Sequence, residues 1–185
     1  MKPLAQLPLQ IPRSGIREVM DLAIAAEKDG PVIHLEVGQP DFATPAHIVE
    51  ATCRAVREGH TRYISTAGIA PLREAVARNF ERRTGVATSP SQTLVTTGAM
   101  MSLATSFFTL LEPGDEVLLP DPGWPNYGTS VALARGVAVP YTLKAPQFLP
   151  DLAELQSLVT PRTKILLVCS PSNPTGQVHD AALTE

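Results

Sequence analysis

Residues 164–176, KILLVCSPSNPTG, restrict the possible folds more than any other stretch of the chain. Five apolar residues, Ile165 to Cys169, run without polar alternation, the pattern of a strand buried on both faces in a parallel sheet covered by helices. Ser170 to Gly176 then breaks that run with two prolines and a glycine, so the chain must leave the sheet as a defined loop. In open α/β sheets, loops beyond the carboxyl ends of strands carry ligand sites. Asn173 precedes a proline, which favours an extended backbone, and its carboxamide can both donate and accept without carrying charge. Closing an Asx-turn is the alternative use of that side chain.

The rest of the chain extends the α/β reading. Thr93–Thr96 reads as a strand feeding the turn Thr97-Gly98-Ala99-Met100 and a helix to about Leu111, with Leu103, Phe107, Leu110 and Leu111 on one side. Strand Glu116–Leu119, a helix near Tyr127–Ala134, strand Val137–Leu143, helix Leu152–Val159 and the strand at Ile165 follow. Four strands alternating with three helices predict a largely parallel sheet. The small-residue turn at 97–100 presents free N–H groups at a helix N-terminus, which favours an anion by ~0.3–1 kcal/mol from the dipole, with direct hydrogen bonds in addition. An ordinary tight βα turn reads the same way. GxGxxG and GxxxxGK[ST] are both absent, which argues against dinucleotide and P-loop sites.

Upstream, residues 1–12 hold three prolines and predict an extended arm. Ser14 starts a helix whose apolar positions are Ile16, Val19, Met20, Ala23 and Ile24, and Gly30-Pro31 ends it. A short strand, Val32–Val37, runs into Gly38-Gln39-Pro40-Asp41-Phe42. Thr44-Pro45 opens a second helix that Gly59 stops, and Leu72, Ala75, Val76 and Phe80 mark a third ended by Gly85. With 185 residues, 44% hydrophobic and 18% charged, net charge −3, the composition suits one globular domain and not a nucleic-acid or membrane-spanning protein. Cys53 and Cys169 read as small buried hydrophobes of a reducing, cytoplasmic compartment.

Five motifs, in this order, resemble those of the fold type I pyridoxal-phosphate aminotransferases of classes I and II: GQPDF, TRYISTAG, TGAM, DPGWPNY and SPSNPTG. The resemblance implies an α/β large domain of αβα layers with a mostly parallel sheet, incomplete here. Residues 1–45 would be an N-terminal arm and small-domain segment, and 46–185 the first part of the cofactor-binding domain. It implies pyridoxal 5'-phosphate as cofactor, amino acids and 2-oxo acids as substrates, and a homodimer. By the same resemblance Gly98, Ala99 and Met100 bind the cofactor phosphate, Ala99 and Met100 through backbone N–H groups. Trp124 stacks on the cofactor ring, Asn173 bonds its phenolate oxygen, Gly38 meets the substrate carboxylate, and Tyr63 reaches the phosphate in the partner subunit. Some members carry a hydroxyl or a lysine where Met100 stands. The lysine that bonds to the cofactor comes after NPTG in that family, and none of Lys2, Lys28, Lys144 and Lys164 lies in a matching motif. The expectation is therefore an N-terminal fragment, inactive and poorly soluble alone. β-lyase or racemase chemistry on the same scaffold, or a non-catalytic module holding a phosphate ligand, remain as alternatives.

Overall fold

Strand β1, Glu116–Asp121, is buried from Glu116 through Pro120 and forms the middle of the sheet. The computed structural model describes residues 5–180 and 183. Their contacts divide the chain into two units, Met1–Pro31 with Ala99–Glu185, and Val32–Gly98.

In the first unit β1 pairs in parallel with β2, Val137–Lys144, from Glu116↔Val137 to Asp121↔Thr142. On its other side it pairs in parallel with β4, Thr163–Leu166. A two-residue strand β3, Leu149–Pro150, lies antiparallel to β2, giving the order β3-β2-β1-β4. The side chains of β1 alternate between two cores. Val117 and Leu119 pack with Phe107, Leu111, Tyr127, Val131 and Ala134, whereas Leu118 packs with Tyr141 and Leu143. Val117 and Leu118 are 0% and 1% exposed, so each contributes about 1.5–3 kcal/mol of apolar burial.

The helices that cover this sheet follow from their patterns. Helix α5, Gly98–Leu110, delivers Phe107, and α6, Asn126–Leu133, buries Tyr127, Ser130 and Val131. Helix α7, Leu152–Leu158, contributes Leu155 and Leu158 beside the second core, and the Asp151 carboxylate caps it by accepting from Ala153 and Glu154 N–H. The mixed, mostly parallel sheet with helical cover is the predicted α/β class.

A buried carboxylate ties β4 to β1. Glu116 accepts from Thr160 Oγ1 at 2.6 Å, from Arg162 Nε and Nη2 at 2.9 and 2.5 Å, and from Thr163 Oγ1 at 3.3 Å. The Thr160 hydroxyl first, and then the Arg162 guanidinium, hold its carboxyl below the usual range against the opposing effect of burial.

Several expectations need correction. The run Ile165–Cys169 is not a strand buried on both faces: β4 ends at Leu166, and Leu166 and Val168 are 48% and 52% exposed. Only Ile165 and Leu167 turn onto the core, because among the described residues β4 is an edge strand with one covered face. Val32–Val37 and Thr93–Thr96 are not strands, since strand structure requires a pairing partner and the described residues supply none. Residues 6–10 of the predicted arm form a short helix, α1, Gln6–Gln10, where Pro8 is tolerated because first-turn N–H groups have no intrahelical acceptor. Residues 1–4 lie outside the described residues. Helix α2, Gly15–Ala26, follows Ser14 as expected, but it half-buries Ile16, Met20 and Ala23 and leaves Val19 and Ile24 exposed. Cys53 is exposed rather than buried.

The second unit holds α3, Ala46–Arg57, and α4, Ala70–Thr84. Gly85, at φ +73°, closes α4 by donating its N–H to Glu81 O at 2.8 Å. The segment before α4 is fastened to the segment after it. Val95 N–H donates to Ala67 O at 3.0 Å, and Arg73 Nε donates to Thr93 O at 2.9 Å.

Candidate functional site

In the first unit the parallel strands β1 and β4 deliver two turns from neighbouring carboxyl ends. The turn after β1 is Asp121-Pro122-Gly123-Trp124-Pro125, with a cis Asp121–Pro122 bond. Gly123 is required there, since a Cβ would stand 2.2 Å from Pro120 O. The turn hands Trp124, half-buried, to the core cluster of α5, β1 and α6. Tyr127 meets the indole edge-on, with ring centroids 5.4 Å apart and planes at 85°. Burial is the main cause that raises the Tyr127 phenol well above its ordinary pKa, and the nearby Cys169 thiol adds to it.

The loop after β4 is closed by its backbone. Ser172 N–H donates to Gln177 O and Gly176 N–H to Ser172 O, both at 2.8 Å, while His179 N–H donates to Ser170 Oγ at 2.9 Å. Gly176 adopts φ +71°, and the Ser170–Pro171 and Asn173–Pro174 bonds are cis. Ser172 is buried, and Asn173 is exposed at the tip. Among the described residues the Asn173 carboxamide has no hydrogen-bond partner, so it does not close an Asx-turn. Its donor and acceptor are available to a ligand.

The start of α5 supplies the third component. Ala99 is exposed and Met100 half-buried, and first-turn N–H groups have no acceptor inside a helix. Gly98, at φ +78°, turns the chain into the helix with no atom within 4 Å of a would-be Cβ.

In the second unit, residues 61–66, Gly68 and 95–97 line a cleft of about 970 Å³. Gly68 shapes it: it is buried, at φ +100°, and a Cβ would stand 2.7 Å from Val95 Cγ2. Tyr63 is fully exposed on this cleft. Gly38 is exposed with nothing within 4 Å, beside a tight turn in which Gln39 N–H donates to Val37 O at 2.8 Å. Just before it, His34 Nδ1 pairs with Glu36 Oε1 at 2.7 Å, which lowers the Glu36 carboxyl pKa.

The structure thus brings Trp124 and Asn173 to adjacent strand ends, and it places Gly38 and Tyr63 in the other unit. The lysines among the described residues, Lys28, Lys144 and Lys164, are all exposed. Sequence reasoning missed Tyr127, whose place three residues after the only tryptophan, one helical turn on, is the signal that could have found it.

The residues present fit a flat phosphate-bearing ring: a half-exposed indole, an unpartnered carboxamide and free backbone donors at the start of a 13-residue helix. No helix among the described residues is long and apolar enough to cross a membrane.

Comparison with known proteins agrees with this arrangement. The model of the family "Aminotransferase class I and II" matches residues 30–184. The aspartate/prephenate aminotransferase of Thermus thermophilus is 43% identical over 155 residues, covering 83% of this chain and 40% of that protein. A bifunctional aspartate aminotransferase and glutamate/aspartate-prephenate aminotransferase of Petunia hybrida is 42% identical over 170 residues, covering 90% of this chain and 35% of the relative. The solved structure of Thermus thermophilus aspartate aminotransferase with maleate superposes with a TM-score of 0.93 at 38% identity, over 99% of this chain and 48% of that one. The chain spans about half the length of these relatives or less. On the strength of the family match across most of its length, the chain belongs to the class I and II aminotransferases.

Proposed function

We propose that this chain is the N-terminal part of a pyridoxal-phosphate transaminase that moves an amino group between an amino acid and a 2-oxo acid. The observation that carries the reading is the pairing of Trp124 with an unpartnered Asn173 carboxamide at the carboxyl ends of neighbouring parallel strands. When bound, pyridoxal phosphate supplies the electron sink for the transfer. Trp124 covers one face of its ring and keeps water from it. Asn173 donates a carboxamide N–H to its phenolate oxygen, fixing the ring's orientation. Ala99 and Met100, with Gly98 turning the chain into the helix, hold its phosphate through backbone N–H groups.

Gly38 lets the backbone come close to the substrate carboxylate, in keeping with the open space around it. Tyr63, fully exposed, donates its hydroxyl to the phosphate bound by the partner subunit of a homodimer. Residues 1–45 serve as arm and small-domain segment, and 46–185 begin the large domain. The unpaired thiols of Cys53 and Cys169 suit a cytoplasmic protein.

The lysine that bonds to the cofactor lies, in this reading, outside residues 1–185. Borohydride treatment of the whole protein with pyridoxal phosphate, followed by peptide mass spectrometry, tests it. The expected result is one modified lysine beyond Glu185, and cofactor binding weakened about tenfold or more by Asn173→Ala. A stoichiometric adduct on Lys2, Lys28, Lys144 or Lys164 would show that the reading is wrong.

A further inference from the structure

In the second unit, the segment after α4 is held to α4 and to the loop before it by contacts that converge on Arg73 and Gly68. Arg73 Nε donates to Thr93 O at 2.9 Å, and Val95 N–H donates to Ala67 O at 3.0 Å. A Cβ on Gly68 would stand 2.7 Å from Val95 Cγ2 and 3.7 Å from Arg73 Cγ, so the glycine lets the valine side chain and the arginine stem close on the same spot. A guanidinium donating to a main-chain carbonyl is a strong anchor, because the donor is charged.

The anchored segment runs directly into the turn that opens α5. Thr96 closes that turn from two sides: its hydroxyl donates to Gly98 O, and its carbonyl accepts from Gly98 N–H, each at 3.0 Å. Gly98 N–H is thereby committed. The next donors along the chain are those of Ala99 and Met100, the pair that holds the phosphate in the proposed function.

We propose that Arg73 is a positioning residue for the cofactor phosphate: it fixes residues 93–96 and, through Thr96, the turn that aims the Ala99 and Met100 N–H groups. The inference rests on the role given above to those two groups. A charge that served only to keep α4 soluble would face water, whereas Arg73 is half-buried and directed at a carbonyl 20 residues along the chain.

The test titrates the whole protein, stripped of cofactor, with pyridoxal 5'-phosphate and with pyridoxal, which shares the ring and lacks the phosphate. A positioning role predicts a loss confined to the first ligand, whereas general loosening of the fold weakens both. Arg73→Met keeps an apolar stem beside Gly68 and removes the donor. It should weaken pyridoxal phosphate about tenfold and pyridoxal by less than about twofold. Thr96→Val removes the hydroxyl at nearly constant shape and should give the same selective loss, and it decides the matter if Arg73→Met does not fold. Gly85→Ala is the control, since it strains the left-handed end of the same helix at φ +73°. It should lower the melting temperature and leave the ratio of the two affinities unchanged. Equal losses of both ligands in Arg73→Met or in Thr96→Val, or full retention of the preference for the phosphate form in either, would overturn the positioning role and leave the cofactor reading intact. A wild-type protein that binds pyridoxal as tightly as pyridoxal phosphate would overturn the phosphate role of the turn, and that of Arg73 with it.

Discussion

Replacing Gly123 with alanine should damage stability and cofactor binding together. An alanine Cβ would stand 2.2 Å from Pro120 O, with Pro120 Cγ at 3.1 Å, whereas real Cβ atoms do not approach within 3.0 Å. Some atom must therefore move by about 0.8 Å. Pro120 cannot easily be that atom, because it is buried in β1 and registered opposite Tyr141 of β2. The turn itself must yield, and Trp124 is the next residue along it. Overpacking of this kind costs about 1–3 kcal/mol, a fall in Tm of about 3–10 °C for a domain of this size. Displacing the indole by a similar distance should weaken cofactor binding by about tenfold or more. Gly128→Ala is the control. Gly128 lies inside α6 with nothing within 4 Å of its Cβ position, so alanine there should stabilise by about 0.5–1 kcal/mol. Thermal melts and absorbance titrations of both variants in the whole protein decide the matter. If Gly123→Ala melts and binds like the wild type, the turn does not hold Trp124 in the way described.

Two further predictions concern pH. Glu116 has a lowered carboxyl pKa in the folded state, so its contribution to stability is fully present above the ordinary value of 4.5 and is lost as pH falls through the folded value. Acid unfolding followed by circular dichroism should show a shallower acid limb for Glu116→Gln, alongside lower stability at neutral pH because Arg162 loses its charged partner. Tyr141 has its phenol pushed up to about 12 from 10.0, mainly by burial, so stability should be level below pH 10 and fall between about 10 and 12 as the unfolded chain ionises first. Tyr141→Phe should flatten that alkaline fall in denaturant melts, and an unchanged alkaline limb would count against burial of the phenol.

Local chemistry made much of this legible in advance. Pro122-Gly123 and the prolines of SPSNPTG interrupt helix and strand, so both loops were readable from composition alone, as was the apolar centre of β1, Val117–Leu119, which had to lie inside the sheet. Gly85 likewise marked a helix end through its own conformational preference. What only the tertiary structure decided was which apolar segments find partners. Ile165–Cys169 and Val117–Leu119 read alike as sequence, yet among the described residues β4 is a half-covered edge strand, because pairing and helical cover are supplied by residues far away in the chain. Val32–Val37 and Thr93–Thr96 stayed outside any sheet for the same reason. The freedom of the Asn173 carboxamide was also a tertiary outcome, since it required the loop to be closed by the backbone of Ser172, Gly176 and Gln177. So was the packing of Ile165 and Leu167 against the cluster that holds Tyr127, which follows because β1 and β4 are neighbours in the sheet. A residue's own preferences act over one or two turns of chain, whereas sheet order brings distant side chains together, and no local pattern encodes that order.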